Sequence, residues 1–185
     1  MIIGAFAATL YGSTRVTYDI DIVVDLAETH IQALVTAYPG PRYYADPDQM
    51  RDSIARGIMF NIIDSSRGEK ADLVPLTMAD RYRQAFQRRI RQLVDAPGLE
   101  PFEIWCARPE DVIIGKLIAW QEGRSPKHES DIYEMLVFHY LGLDPVLSAD
   151  FDEDYITGQV QTISTEAADL WAATQAAARQ AADKN

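Results

Sequence analysis

The chain has little cysteine, little histidine and few basic residues for its length. Of 185 residues, one is cysteine, Cys106, and three are histidine. A single thiol cannot close an intramolecular disulfide. With no basic residue immediately beside it to lower its pKa, Cys106 reads as a small hydrophobe rather than a nucleophile. His30, His128 and His139 lack the paired spacing of metal-binding histidines and carry no assigned chemistry. Lys and Arg number 17 against 28 Asp and Glu, a formal net charge of −11. That balance disfavours a broad, non-specific grip on nucleic acid, which needs a basic surface to displace counterions. No apolar run reaches membrane-spanning length, and the apolar start lacks the charged leader of a signal peptide. The sequence therefore predicts a cytoplasmic protein with no membrane partner.

What is present suits a globular chain: 48% apolar and 24% charged residues, enough for one well-buried domain with a helical appendage. There is no internal repeat. Basic residues concentrate in the middle, at Arg67, Lys70, Arg81, Arg83, Arg88, Arg89 and Arg91, and thin out after Lys127. Such a cluster suits a solvated helix face, and it also suits a local anion site reached by Arg81, Arg88 or Arg89.

The most informative stretch is residues 4 to 25. A glycine turn at Gly4, a short apolar helix from Phe6 to Leu10 and a second turn at Gly12-Ser13 lead into a β-branched run carrying Asp19 and Asp21. In a strand these two carboxylates project from one face while Ile20, Ile22 and Val24 face the other. Like charges side by side are costly unless a cation sits between them, and Mg²⁺ is held by one or two carboxylates plus substrate phosphates. A strand edge with two solvated aspartates is the plainer reading of the pair alone. The upstream turn favours the first, because backbone N–H groups at Gly4 and Ala5 can meet an anionic phosphate.

Further along, periodicity predicts a helix through Ile31, Leu34, Val35 and Tyr38, stopped by Pro39-Gly40-Pro41, and a second capped by Asp46-Pro47-Asp48 through Met50 and Ile54 as far as Ile58. A hairpin follows, with strands over 59–64 and 70–76. It carries Asp72 as a third candidate carboxylate, Lys70 beside it, and Asp64 as a competitor near the turn. A helix capped by Thr77 is predicted to run through Ile90. After turn signals at residues 95–98, the last strand spans 102–106. Two helices, from Pro109 through Trp120 and from Pro126 to Tyr140, form a hairpin across Gly123-Arg124-Ser125. An acidic cap at Asp152-Glu153-Asp154 opens one alanine-rich helix through Ile156, Val160, Ile163, Ala167 and Trp171.

Ile3, Gly4 and Ala5, thirteen residues and then Asp19-Ile20-Asp21 resemble the signature of the DNA polymerase β-type nucleotidyltransferase superfamily. The longer string Gly-x-x-Ala-x-x-x-Tyr-Gly-x-x-Arg-x-Thr-x-Asp-Ile-Asp-Ile-Val is similar to the bacterial AbiEii-type group of abortive-infection and toxin–antitoxin nucleotidyltransferases. Its members also carry a Pro-Glu-Asp, then a Lys on one helix and an Asp on the next, matched here by Lys116 and Asp131. The resemblance covers residues 2 to about 138. Ala5 departs from the pattern: it offers a backbone N–H but no hydroxyl. The superfamily's usual helix before the first glycine turn is also missing, so either this chain dispenses with it or its start was assigned late.

The resemblance implies an α/β (α+β) nucleotidyltransferase fold, a small mixed β-sheet with packed helices, followed by a helical C-terminal part. The core is expected over residues 1–107 and a helical region packed on it over 108–185. It implies an enzyme in which Asp19, Asp21 and Asp72 are catalytic and hold two Mg²⁺ (or Mn²⁺) ions about 3.5–4 Å apart. Gly4, Ala5, Arg15, Lys70 and Lys116 would bind the nucleoside triphosphate, although Lys116 and Asp131 also suit a buried ion pair. The implied reaction moves a nucleoside monophosphate to a hydroxyl on a tRNA, a protein or a small molecule, and a toxin role implies an antitoxin partner. The alternative is a catalytically weakened nucleotide-binding or regulatory protein on the same fold. A purely structural module would leave the three aspartates apart.

Overall fold

The computed structural model describes residues 1–95, 98–144 and 148–184. Of the turn expected at residues 95–98, Ala96 and Pro97 lie outside the described residues, as does Asn185 at the tail. By internal contacts the chain forms two units: Met1–Phe6 with Thr17–Ala107, and Ala7–Val16 with Arg108–Asn185. The second unit begins at 108, and it also takes in residues 7–16.

The first unit is built on a seven-stranded mixed sheet. Its strands are β1 (Ile2–Ile3), β2 (Asp19–Val24), β3 (Tyr43–Tyr44), β4 (Phe60–Asp64), β5 (Glu69–Pro75), β6 (Ile90–Val94) and β7 (Phe102–Cys106), in the order β3-β4-β5-β2-β1-β7-β6. Helix α1 (Gly4–Leu10) leads out of β1, and its residues 7–10 belong to the second unit; the helices of the first are α2 (Glu28–Ala37), α3 (Pro47–Arg56) and α4 (Asp80–Arg88). Alternation along the strands sorts the side chains. Ile22 and Val24 of β2, Phe60 and Ile62 of β4 and Leu73 of β5 join Ile31 of α2 and Met50 of α3 in one core. Phe60 and Met50 are each 1% exposed, and burial of that kind contributes about 1.5–3 kcal/mol per side chain. The other face of β2 and β5 carries Asp19, Asp21, Asp72 and Lys70, with Val23 and Val74 buried beyond them.

Helix α3 starts where Asp46 accepts from the N–H groups of Asp48 and Gln49 at 2.8 and 3.1 Å. It stops at Gly57, whose φ of 64° is the left-handed conformation glycine adopts most readily. Helix α4 differs from the sequence expectation at both ends. Its N-cap is Ala79, while the Thr77 hydroxyl instead donates to the Ile54 carbonyl at 2.6 Å. It ends before Arg89, whose extended backbone (φ −54°, ψ 148°) turns Ile90 into the first residue of β6. Strand β6, antiparallel to β7, is an element the periodicity missed, as is the two-residue β3 paired with β4.

The second unit contains α5 (Pro109–Gly123), α6 (Pro126–Tyr140), α7 (Glu153–Val160) and α8 (Thr165–Ala182). The single helix expected at the C-terminus is two. Ser164 interrupts it: its backbone is extended, and its hydroxyl accepts from Ala167 N–H at 3.0 Å, a cap that starts α8 afresh. Glu110, fully buried, accepts from the Asp152 N–H at 3.1 Å and faces Arg108 at 3.4 Å, which ties the start of α5 to the start of α7. Val112, Ile113, Leu117, Ile132, Leu136, Ile156, Val160 and Trp171 supply the apolar core of this unit. Among the described residues no helix is long and apolar enough to cross a membrane.

Candidate functional site

The register of three strands assembles the acidic face of the first unit. Strands β2 and β5 run parallel, with Asp19 opposite Lys70 and Asp21 opposite Asp72. On the far side of β5, Asn61 of β4 stands opposite Asp72; on the near side of β2, Ile3 of β1 stands opposite Asp21. Neighbouring strands lie about 4.8 Å apart, so Asp21 and Asp72 are cross-strand neighbours, with Asp19 one pleat repeat away on the same face. The third acid thus meets the first two on adjacent strands.

Gly4 closes the site from the β1–α1 turn. Its φ is 68°, and a Cβ built on it would stand 2.0 Å from Asp21 Oδ2. Only glycine fits, on conformational and on steric grounds. Ala5 follows in the first turn of α1.

Lys70 and Asn61 hold Asp72. The Lys70 ammonium lies 2.8 Å from Asp72 Oδ2 and 3.9 Å from Asp19 Oδ1, and Asn61 Nδ2 donates to Asp72 Oδ1. The hydrogen bond to Asp72, reinforced by the charges of Asp72, Asp19 and Asp21, raises the Lys70 pKa despite some desolvation. Asp72 is nearly buried, its side chain 8% exposed, whereas Lys70 and Asp19 are 38% and 54% exposed. Asn61 carried no motif signal; its place opposite Asp72 in the hairpin register was the clue available.

Asp64, the competing acid, is otherwise engaged. Arg42 donates to it from Nε and Nη2 at 3.1 and 2.8 Å, and Ser66 caps it from both backbone and hydroxyl. The hydrogen bonds from Arg42, then those from Ser66, push its pKa far below the usual carboxylate range. It stabilises the hairpin turn. Of the middle arginines, Arg89 lies over the rings of Phe86 and Trp105, and Arg81 over Tyr82.

Arg15 and Lys116 belong to the second unit, where both converge on Asp131. Arg15 reaches its two oxygens from Nε and Nη2, each at 3.1 Å, Lys116 Nζ lies 2.5 Å from Oδ2, and the Ser13 hydroxyl donates at 3.0 Å. Asp131 and Lys116 are buried, 1% and 4% exposed. Burial alone would raise the Asp131 pKa, but the hydrogen bonds from Arg15 and Lys116 outweigh it and the net shift is downward. Glu134, which acts electrostatically on Arg15 as well, supplies a second carboxylate, so the two cations are balanced. Ser13 matters here for this anchoring, together with Thr14, whose N–H and hydroxyl meet Glu134 at 2.6 and 3.1 Å.

The donor chemistry of the first unit suits a hard divalent cation. Among the described residues no three carboxylate, histidine or cysteine groups stand ready to hold a metal by themselves. Mg²⁺ does not demand such a cage, since one or two carboxylates with substrate phosphates complete its shell.

A mixed sheet with packed helices, carrying paired acids on parallel neighbours beneath a glycine turn, defines an α/β protein of the nucleotidyltransferase type. The comparison with known families agrees. The profile of the family described as "Nucleotidyl transferase AbiEii toxin, Type IV TA system" matches residues 4–185, and the chain belongs to that family. No curated protein sequence matches the chain.

Proposed function

We propose that this protein transfers a nucleoside monophosphate from a nucleoside triphosphate to a hydroxyl acceptor, releasing pyrophosphate, as the toxin of a toxin–antitoxin or abortive-infection system. The observation that carries the reading is the register of β2 against β5, which sets Asp72 opposite Asp21 under the turn at Gly4. Asp19 and Asp21 would hold Mg²⁺ or Mn²⁺ against the phosphates, and Asp72 would contribute to the second metal position and help activate the attacking hydroxyl by taking its proton. The chemistry such a metal would supply is neutralisation of phosphate charge and of the charge on the attacking and leaving oxygens. Gly4 and Ala5 present N–H groups to the terminal phosphates. Lys70 is a cation beside the acids. Positioning and charge neutralisation are most of what phosphoryl transfer asks of a protein.

The acceptor classes are a tRNA end, a protein side chain and a small molecule; the toxin reading adds a cognate antitoxin as partner. The test is to incubate nucleoside triphosphates labelled at the α-phosphate with separated tRNA, protein and small-molecule fractions. Label should enter one fraction, and Asp72→Asn should lower the rate by about 10²–10⁴-fold, the usual worth of a positioned base. Labelling unchanged in Asp72→Asn would contradict the assignment. Ala5, which has no hydroxyl for phosphate, favours a second reading, a nucleotide-binding regulator of low turnover. Tight Mg²⁺-dependent triphosphate binding with no labelled fraction would select it.

A further inference from the structure

Four positions on the acidic face form a two-by-two array: Asp19 beside Lys70, and Asp21 beside Asp72. Three carboxylates and one ammonium leave a formal surplus of two negative charges. Both oxygens of Asp72 already have a donor, Asn61 on Oδ1 and Lys70 on Oδ2 at 2.8 Å. The two donors differ in freedom. Asn61 is a short side chain fixed directly opposite on β4, whereas Lys70 ends a flexible four-carbon stem and is 38% exposed. A metal ion on Oδ2 would put two positive charges on one oxygen unless the ammonium withdraws, and like charges at that range repel strongly.

We propose that Lys70 is a built-in counter-ion, which holds Asp72 and Asp19 together in the metal-free protein, gives up Asp72 to an incoming divalent cation, and then turns its ammonium to the phosphates of the nucleotide. The inference rests on the nucleotidyltransferase reading. It assigns Lys70 two successive partners, so removing its charge has effects of opposite sign on two ligands. A Lys that served only to stabilise the strand would move both the same way.

The experiment compares wild type, Lys70→Met and Lys70→Arg by calorimetric titration with Mn²⁺ alone and with Mg²⁺–nucleoside triphosphate, together with thermal melts in chelator. Lys70→Met should bind Mn²⁺ at least about tenfold more tightly, since a competing charge has left the site, and should bind the Mg²⁺–nucleotide more weakly. Its melting temperature in chelator should fall below wild type and rise more steeply with added Mn²⁺. Lys70→Arg should keep the wild-type Mn²⁺ affinity. Equal Mn²⁺ affinities in wild type and Lys70→Met, including no binding by either, would overturn the proposal. The Asp19→Ala/Asp21→Ala variant separates the two levels. If it alone abolishes nucleotide binding while Lys70→Met leaves Mn²⁺ affinity unchanged, only the role of Lys70 falls. If wild type binds no Mg²⁺–nucleotide, the underlying reading falls, and the proposal with it.

Discussion

Gly4 shows how tightly one residue can be specified. A methyl group there would meet Asp21 Oδ2 at 2.0 Å and would also force a side chain into φ 68°. Gly4→Ala should therefore cost about 1–2 kcal/mol for the left-handed backbone and displace the Asp21 carboxylate. Chemical denaturation should show a folded protein of reduced midpoint, and calorimetry should show that Mg²⁺–nucleotide binding is lost. Retained binding would mean that Asp21 does not need its present position. Asp131 is the corresponding residue of the second unit. Removing it takes from Lys116 and Arg15 the buried carboxylate they share, so Asp131→Ala should destabilise by about 3–5 kcal/mol, and a paired Lys116→Met/Asp131→Leu change by less than the sum of its parts. The pH dependence has a definite sign. The folded pKa of Asp131 is lowered, so its contribution is complete above about pH 4, the unfolded value, and drains away as pH falls through the lowered folded value. Melting temperatures measured from pH 6 down to pH 2 should fall more steeply for wild type than for Asp131→Asn.

At the scale of elements, the helix breaks are decided by single caps. Ser164 both accepts from Ala167 N–H at 3.0 Å and donates to Gln121 at 2.8 Å. Ser164→Ala should cost about 1 kcal/mol, seen as a lower thermal midpoint with helical circular dichroism almost unchanged; no change would mean that α8 starts without its cap. The same residue shows where the sequence was hard to read. Isoleucine and alanine continue the apolar spacing across residues 156–171, so periodicity runs through a break that only a serine hydroxyl and an extended backbone impose. Strand β6 was hidden for a related reason. Ile90 prolongs the spacing of α4, and the change of direction lies in the backbone of Arg89. By contrast, the hairpin of β4 and β5, the helices α5 and α6 with their leading prolines, and the aspartates on one face of β2 were legible, because alternation and capping are local. What no local pattern could give is which strand lies beside β2. That register follows from chain segments some fifty residues apart in sequence coming together, whereas Asn61 opposite Asp72 needs only the local hairpin of β4 and β5.

For the whole molecule, the net charge of −11 sets the terms on which a triphosphate can bind. The overall field repels a polyanion, and the acidic face of β2 and β5 repels it further. On the proposed reading, nucleotide binding then depends on a divalent cation, with Lys70 as a local exception to the prevailing charge. The family match spans residues 4–185, and so includes both the sheet unit with its aspartates and the helical unit with Arg15 and Lys116. The most direct test is calorimetric titration of each nucleoside triphosphate, with Mg²⁺ and with chelator, into wild type and into Asp19→Ala/Asp21→Ala. Binding of at least one nucleotide that needs Mg²⁺ and vanishes in the double variant is the result expected. Binding that persists in chelator or in the double variant, or none to the wild type, would contradict a metal-dependent nucleotide site on these aspartates.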